Sequence, residues 1–293
     1  MLAAIHGRPF SLENFHFVEL IWTKLKDAGY DIAISSTFKD FIDKTDLKHL
    51  AFDLVYSDHL DFPEPDFMIS LGGDGSLLEA VTFIGSKQTP VLGINMGRLG
   101  FLAYTRREET NKALDDLVSR NFRVTHRSLL HLEGGEEGLF SGVNFALNEC
   151  SLMKRDASSM VVVHAFLNDQ FLNSYWSDGL VISTPTGSTG YSLSCGGPLV
   201  MPDTQNFIIA PISPHNLNVR PMLVPDNCKL SFEIEGRATS FLVSLDSRSR
   251  LVEPNNRFTL RKEDFGVSFI ALPEYDFLKT LRDKLNWGLD SRN

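Results

Sequence analysis

The sequence predicts an open α/β domain, a parallel sheet covered by helices, followed by a mostly antiparallel β domain. Three observations carry that expectation. The first third alternates short apolar runs with amphipathic stretches of helical period. From Phe122 to Leu272 the apolar runs are instead short, β-branched or aromatic, and separated by turn residues. A last amphipathic stretch then closes the chain.

Taken in order, Leu2–Ile5 reads as a strand. Leu12 to Lys26 sets Phe15, Val18, Leu20, Ile21, Trp22 and Leu25 largely on one helical face, with Gly29 as a stop. Asp31–Ser35 follows as a strand, Phe38–Leu50 as a helix and Asp53–Ser57 as a short strand. The apolar run Phe67-Met68-Ile69-Ser70-Leu71 enters Gly72, Leu77–Phe83 is helical, Val91–Asn95 is a strand, and a helix near Glu108–Ser119 ends the first domain. The β-rich part contributes Met160–Leu167, Leu180–Ser183, Phe207–Ala210, Leu230–Ile234, Phe241–Leu245, Phe258–Arg261 and Val267–Leu272, with a hairpin turn at Leu167-Asn168-Asp169-Gln170-Phe171. Tyr275–Leu285 carries Phe277, Leu278, Leu281 and Leu285 at helical spacing and is expected to pack back on one of the domains. The expected boundaries are 1–120, 121–273 and 274–293.

Composition narrows the function classes. The 293 residues are 43% hydrophobic and 22% charged, with net charge −9 and no dense Lys/Arg block. Nucleic acids and anionic membranes both need clustered cations, so neither is an expected partner. Three cysteines, Cys150, Cys195 and Cys228, form no C-x-x-C and fit a reducing compartment. The first eight residues lack the pattern of a signal peptide, and no apolar run approaches the roughly 20 residues of a membrane span. A cytoplasmic protein is expected.

The strongest chemical signal is Leu71-Gly72-Gly73-Asp74-Gly75-Ser76, between an apolar strand and a helix. Glycines remove the Cβ atoms that would keep a phosphate from backbone N–H groups, and the following helix offers its own unpaired N–H groups. A carboxylate amid such donors repels phosphate unless a metal or a reacting hydroxyl sits beside it. A tight turn in which Asp74 merely caps the helix would give the same letters. No G-x-x-x-x-G-K-[ST] and no G-x-G-x-x-G occurs, which excludes two common nucleotide fingerprints.

A second run, Asp178-Gly179-Leu180-Val181-Ile182-Ser183-Thr184-Pro185-Thr186-Gly187-Ser188-Thr189-Gly190-Tyr191-Ser192-Leu193-Ser194, continues to Gly196-Gly197-Pro198. Its hydroxyls and amides suit a polar ligand, although a mobile Ser/Thr/Gly loop has the same composition. It does not complete the G-x-S-x-G of a hydrolase elbow. Asn148-Glu149, just past the alternating Val143–Leu147, can grip a ribose diol or a base edge, although taken singly it reads more simply as a surface strand end. Gly97-Arg98-Leu99-Gly100-Phe101 is either a turn presenting a cation and an aromatic ring, or a plain loop with Phe101 in the core. In Pro211-Ile212-Ser213-Pro214-His215-Asn216-Leu217-Asn218-Val219-Arg220-Pro221, three prolines hold the course of the chain. The eight histidines show no zinc-site spacing, so no metal held by the protein alone is expected.

In this order and with this content, the segments from about Pro65 to Leu245 resemble the NAD kinase family. G-G-D-G alone is shared with diacylglycerol and sphingosine kinases and with phosphofructokinases. The Asp178–Ser192 and Pro211–Pro221 runs are the more specific. The resemblance implies an N-terminal α/β domain beside a β-sandwich-like C-terminal domain. It also implies phosphorylation of the adenosine-ribose 2′-hydroxyl of NAD with ATP or another phosphoryl donor, giving NADP, together with Mg²⁺ or another divalent cation. Asp74 would be the general base or a metal ligand, with Gly72, Gly73, Gly75 and Ser76 at the phosphates. Asn148 and Glu149 would hold the adenosine half, Phe101 would lie near the adenine, and Asp178 would face the nicotinamide. Thr189, Gly190, Tyr191, Ser192 and Ser194 would line the dinucleotide cleft. A homodimer or homotetramer is the implied assembly. Two positions depart from the family: a D-G-Q-type segment reads Asp246-Ser247-Arg248, and Trp176 stands where a basic residue is common. A lipid kinase would want an apolar cleft or a basic face, and a retired NAD-binding module would have no need of Asp74.

Overall fold

Apolar runs alternating with amphipathic helices bury both faces of a parallel sheet, and the N-terminal part of the chain is built this way. The computed structural model describes residues 1–136, 138–155, 161–236, 240–254 and 256–287. Two units divide it: residues 1–126 with 267–293, and residues 127–266.

In the first unit the chain runs β1 (Leu2–Gly7), α1 (Phe15–Asp27), β2 (Asp31–Ser35), α2 (Ser36–Ile42), β3 (Leu54–Tyr56), β4 (Phe67–Gly72), α3 (Asp74–Ile84), β5 (Val91–Asn95), β6 (Thr105–Arg106) and α4 (Thr110–Val118). The strands lie in the order β3-β2-β1-β4-β5, all parallel. Ile5 stands opposite Ile34 on one side and Ile69 on the other, so the apolar runs are in register. Helix α1 buries Val18, Ile21 and Leu25, spaced three and four residues apart, against this core. The strand order reverses between β1 and β4. In an open α/β sheet, ligands bind beyond the carboxyl ends of the strands at that reversal. Here those ends are Gly7 and Gly72.

The helix expected over residues 38–50 stops at Ile42. A separate 3₁₀ turn, Asp46–His49, follows. The Thr45 hydroxyl causes the break: it donates to the Ile42 carbonyl at 2.7 Å and accepts from Leu47 N at 3.2 Å, replacing helical bonds.

The second part of the chain forms β7 (Arg123–Gly134), β8 (Phe145–Ala146), β9 (Glu149–Lys154), β10 (Val161–Leu167), β11 (Gln170–Ser177), β12 (Gly179–Ser183), the short α5 (Tyr191–Ser194), β13 (Asn206–Ile212), β14 (Met222–Pro225), β15 (Leu230–Gly236), β16 (Phe241–Leu245), β17 (Arg248–Val252) and β18 (Arg257–Ala271). One antiparallel sheet runs β14-β13-β12-β9-β16-β17. Facing it are β11, β10, β15 and β18, with β7 and β8 beyond β18. Leu152, Ile182, Phe207 and Val243 from the first sheet share one core with Val163, Phe232 and Phe258 from the second, which makes the unit a β-sandwich. The expected hairpin joins β10 to β11 through Asn168 and Asp169, both at positive φ (48° and 63°), the backbone that a two-residue turn requires. Met160 of the expected strand lies outside the described residues.

Two expected strands, over residues 258–261 and 267–272, are one continuous strand. The polar residues between them resemble a loop, yet each charge has a partner. Arg261 Nε donates to Glu133 at 2.6 Å, Lys262 Nζ to Asp226 at 2.6 Å, and His131 Nδ1 lies 2.6 Å from Glu263. From Val267 onward the strand belongs to the first unit, where Phe269 pairs with Val91 of β5. Helix α6 (Phe277–Leu285), capped by Asp276 at Leu278 N, belongs to that unit as well. Among the described residues no helix is long and apolar enough to cross a membrane.

Candidate active site

In the first unit, β4 ends at Gly72 with φ +146°, where a side chain would be driven into Ser76 Oγ. Gly73 is the N-cap of α3 and Asp74 its first residue. Among the described residues the Asp74 side chain bonds outside its own helix. Its Oδ1 accepts from the backbone N–H of Leu102 and of Ala103, both at 3.0 Å, and its Oδ2 from Phe101 N at 2.9 Å. A carboxylate has about four lone-pair sites, so Oδ2 keeps acceptor capacity while the side chain is fixed by three donors. Residues 101–103, at the exit of the glycine-rich turn over residues 97–101, therefore hold Asp74. Asn95 closes that turn, donating to Arg98 O at 2.7 Å and accepting from Gly97 N at 2.8 Å. Met96 N donates to Gly72 O at 3.1 Å, tying the ends of β4 and β5 together. Phe101 is half-buried, with Lys284 of α6 above its ring.

The second unit carries a separate polar cluster. Asn148 and Glu149 stand at the start of β9, and their backbone is held by a hairpin 97 residues further on. Asp246, at φ +52° between β16 and β17, accepts from Leu147 N (2.9 Å), Asn148 N (2.8 Å) and Glu149 N (3.2 Å). Arg248 donates to Val143 O at 2.6 Å and to Phe145 O, and lies over the rings of Phe140 and Phe145. Burial of Arg248 pulls its pKa down; burial of Asp246 pushes its carboxyl up. Glu149 is pushed up to about 7, first by desolvation and then by the charge of Asp246, against one opposing bond from Tyr191 N.

The Ser/Thr/Gly run is sewn to the same backbone rather than mobile. Thr184 N donates to Asn148 O at 2.9 Å, Thr184 Oγ1 to Leu147 O at 2.5 Å, and Gly187 N to Thr184 Oγ1 at 3.1 Å. Gly187 passes so close to Asn148 that any side chain would strike its backbone; a Cβ on Gly190 would lie 2.7 Å from Glu149 Oε2. Asn148, Glu149, Gly190 and Tyr191 are thus brought together, with Thr189 beside them. Ser194 is exposed. Asn148 Oδ1 and Ser192 Oγ are buried with no hydrogen-bond partner among the described residues. Such atoms are costly, and a polar ligand would satisfy them. Asp178 is paired with Lys154 Nζ at 2.6 Å, while Trp176 is exposed and its carbonyl accepts from His215 N.

Sequence reasoning missed Gly100, Thr184 and Gly187 as supports and left the Asp246-Ser247-Arg248 hairpin without a role. Among the described residues no group of three His, Cys, Asp or Glu side chains gathers as a metal site.

The fixed carboxylate opening a helix at the sheet reversal in the first unit, and the polar cluster carried by the β-sandwich unit, each suit a nucleotide-dependent phosphotransferase. The model of the ATP-NAD kinase N-terminal domain matches residues 54–122, and that of the C-terminal domain matches residues 147–272. The chain belongs to the ATP-NAD kinase family. It is 52% identical to an NAD kinase of Cytophaga hutchinsonii over 293 residues, covering all of both chains, and 39% identical to one of Flavobacterium johnsoniae over 302 residues, again covering both fully. Among solved structures, a yeast NADH kinase complexed with NADH matches with TM-score 0.85 at 22% identity, covering 99% of this chain and 88% of that one. An NAD kinase from Archaeoglobus fulgidus in complex with ATP matches with TM-score 0.72 at 23% identity, covering 98% of each. At that identity the two structures speak for the fold.

Proposed function

We propose that the chain transfers the terminal phosphoryl group of ATP or a related donor to the adenosine-ribose 2′-hydroxyl of NAD, with Asp74 accepting the hydroxyl proton. One observation carries this reading: three backbone donors fix the Asp74 carboxylate at the end of β4 beside the sheet's reversal. Phosphoryl transfer has a loose transition state, so catalysis is chiefly positioning and charge neutralisation. The amides of residues 72–76 would receive the donor's phosphates. Asp74 Oδ2 would take the proton as the new O–P bond forms, and the attacking oxygen and the leaving oxygen would lie in line with phosphorus.

On the second unit, Asn148 and Glu149 would bind the adenosine half, with Asn148 Oδ1 and Ser192 Oγ finding their missing partners there. Asp178 would face the nicotinamide, and Thr189, Gly190 and Tyr191 would line the dinucleotide. Magnesium fits as the donor's companion, held by its phosphates with Asp74 as the protein carboxylate in reach. It would neutralise charge on the transferred group.

Cytoplasmic location is supported by three cysteines that are all free. Self-association is supported by apolar residues exposed on two sheet-edge strands, Phe171 and Trp176 on β11 and Met222 and Leu223 on β14. The purified protein with magnesium, ATP and NAD should produce NADP, followed with a coupled NADP-specific dehydrogenase. Absence of NADP under these conditions would overturn the reading.

A further inference from the structure

We propose that Arg8 is a donor-binding residue: its guanidinium, seated over Gly75 and braced by Glu79 and His6, binds the phosphates of the nucleoside triphosphate. This rests on the reading that the donor lies at residues 72–76.

Arg8 is the first residue past β1, at the reversal between β1 and β4, and its N–H is tied to Leu71 O at 3.3 Å. Gly75 and Glu79 are one helical turn apart on the same face of α3. Arg8 lies along that face. Its Nε donates to Glu79 Oε2 at 2.8 Å, and a Cβ on Gly75 would come within 3.1 Å of Nη1. The missing side chain of Gly75 thus makes the seat for the guanidinium. With Nε engaged, Nη1 and Nη2 have no hydrogen bond among the described residues, and the side chain is about half open to solvent (48%). A planar fork with one edge anchored and the other free suits phosphate oxygens.

The brace continues inward. His6 is fully buried, with Nδ1 2.8 Å from Ser35 Oγ, its ring on Phe83, and Nε2 facing Glu79 Oε2 at 3.4 Å. Glu79 is held ionised, at about 2, by His6 first and by Arg8. A surface Arg–Glu pair contributes little alone, and a buried imidazole behind it is more support than such a pair needs. The need arises from charge. Asp74 opposes an incoming triphosphate, the whole chain is acidic at −9, and Arg8 is a fixed cation beside Gly75, the residue after Asp74.

Steady-state kinetics with varied ATP at saturating NAD, and the reverse, test this. Arg8→Ala should raise KM for ATP about tenfold or more, leave KM for NAD within about twofold, and melt with the parent protein. Arg8→Lys should recover part of the loss. Glu79→Gln should raise KM for ATP less, and in the Arg8→Ala background should add nothing, because the brace acts only through Arg8. If Arg8→Ala melts early, Arg8→Gln, which keeps the stem, is read in its place. An unchanged KM for ATP in a folded Arg8 variant, or an equal rise in both KM values, overturns the proposal; an additive Glu79 effect overturns the brace. Failure of the parent protein to make NADP from ATP would instead sink the donor reading itself, a result visible before any variant is made.

Discussion

Gly100 leaves the volume that the Asp74 carboxylate fills: a Cβ at residue 100 would overlap the carboxylate oxygens. The two residues are 26 apart in sequence, and the bonds that fix Asp74 come from the three residues that follow Gly100. Gly100 is not among the glycines at positive φ, so its backbone accepts any residue. What it cannot accept is bulk. Gly100→Ala should therefore fold and melt near the parent protein while displacing the carboxylate, with kcat falling about 10²-fold. Unaltered kcat in the folded variant would show that the position of Asp74 does not matter to turnover.

Asp74→Asn tests the chemistry rather than the geometry. The amide removes the proton acceptor and can keep only part of the bonding to residues 101–103. A positioned general base contributes about 10²–10⁴-fold, and kcat should fall by that amount. The KM for NAD should change little, since the Asn148–Glu149 cluster lies in the other unit. Near-normal NADP formation would remove Asp74 from the mechanism.

Glu149 gives the enzyme a pH dependence of definite sign. Its carboxyl sits at about 7 in the folded protein, above the usual carboxyl range near 4.5. Between those values the folded protein holds a proton that the unfolded chain has released. Stability from this group is fully present below about pH 4.5 and is lost as pH rises through 7. The partial exposure of Glu149 reduces the effect to something on the order of 2 kcal/mol. Glu149→Gln should gain that much on the parent protein between pH 5 and pH 8, measured by urea unfolding. NAD affinity should tighten over the same range, because only the ionised carboxylate is purely an acceptor for the ribose hydroxyls. A parent–variant gap that stays constant with pH would mean Glu149 titrates as an ordinary surface acid.

Features carried by one contiguous segment were legible before the structure. The G-G-D-G turn, the hairpin at Asn168-Asp169 and the parallel β/α rhythm all have local causes, in glycine conformation, turn backbone and apolar period. The features that were not legible depend on residues far apart. Nothing near Gly100 announces Asp74, and nothing in Asp246-Ser247-Arg248 announces the backbone of residues 143–149. The Arg8–Glu79 pair joins positions 71 apart. The long β18 was split for a related reason. Its polar middle has the composition of a loop, and only its cross-strand partners, Glu133, Asp226 and His131, make those charges compatible with a strand.

The contacts of Arg248 give it a structural task. Its guanidinium satisfies the carbonyls of Val143 and Phe145, while Asp246, two residues earlier, satisfies the amides of Leu147, Asn148 and Glu149. One tight hairpin therefore grips both ends of the segment that presents Asn148 and Glu149. Arg248→Ala frees two carbonyls and uncovers the rings of Phe140 and Phe145, at a cost of about 2 kcal/mol in stability. Loosening of the segment should raise KM for NAD while kcat at saturation falls less, because Asp74 and its amide cradle lie in the other unit. Arg248→Gln, with one amide still able to donate to a carbonyl, should fall between the two in both measurements. If Arg248→Ala matches the parent protein in melting temperature and in KM for NAD, the hairpin is not what holds the strand that begins at Glu149 in place.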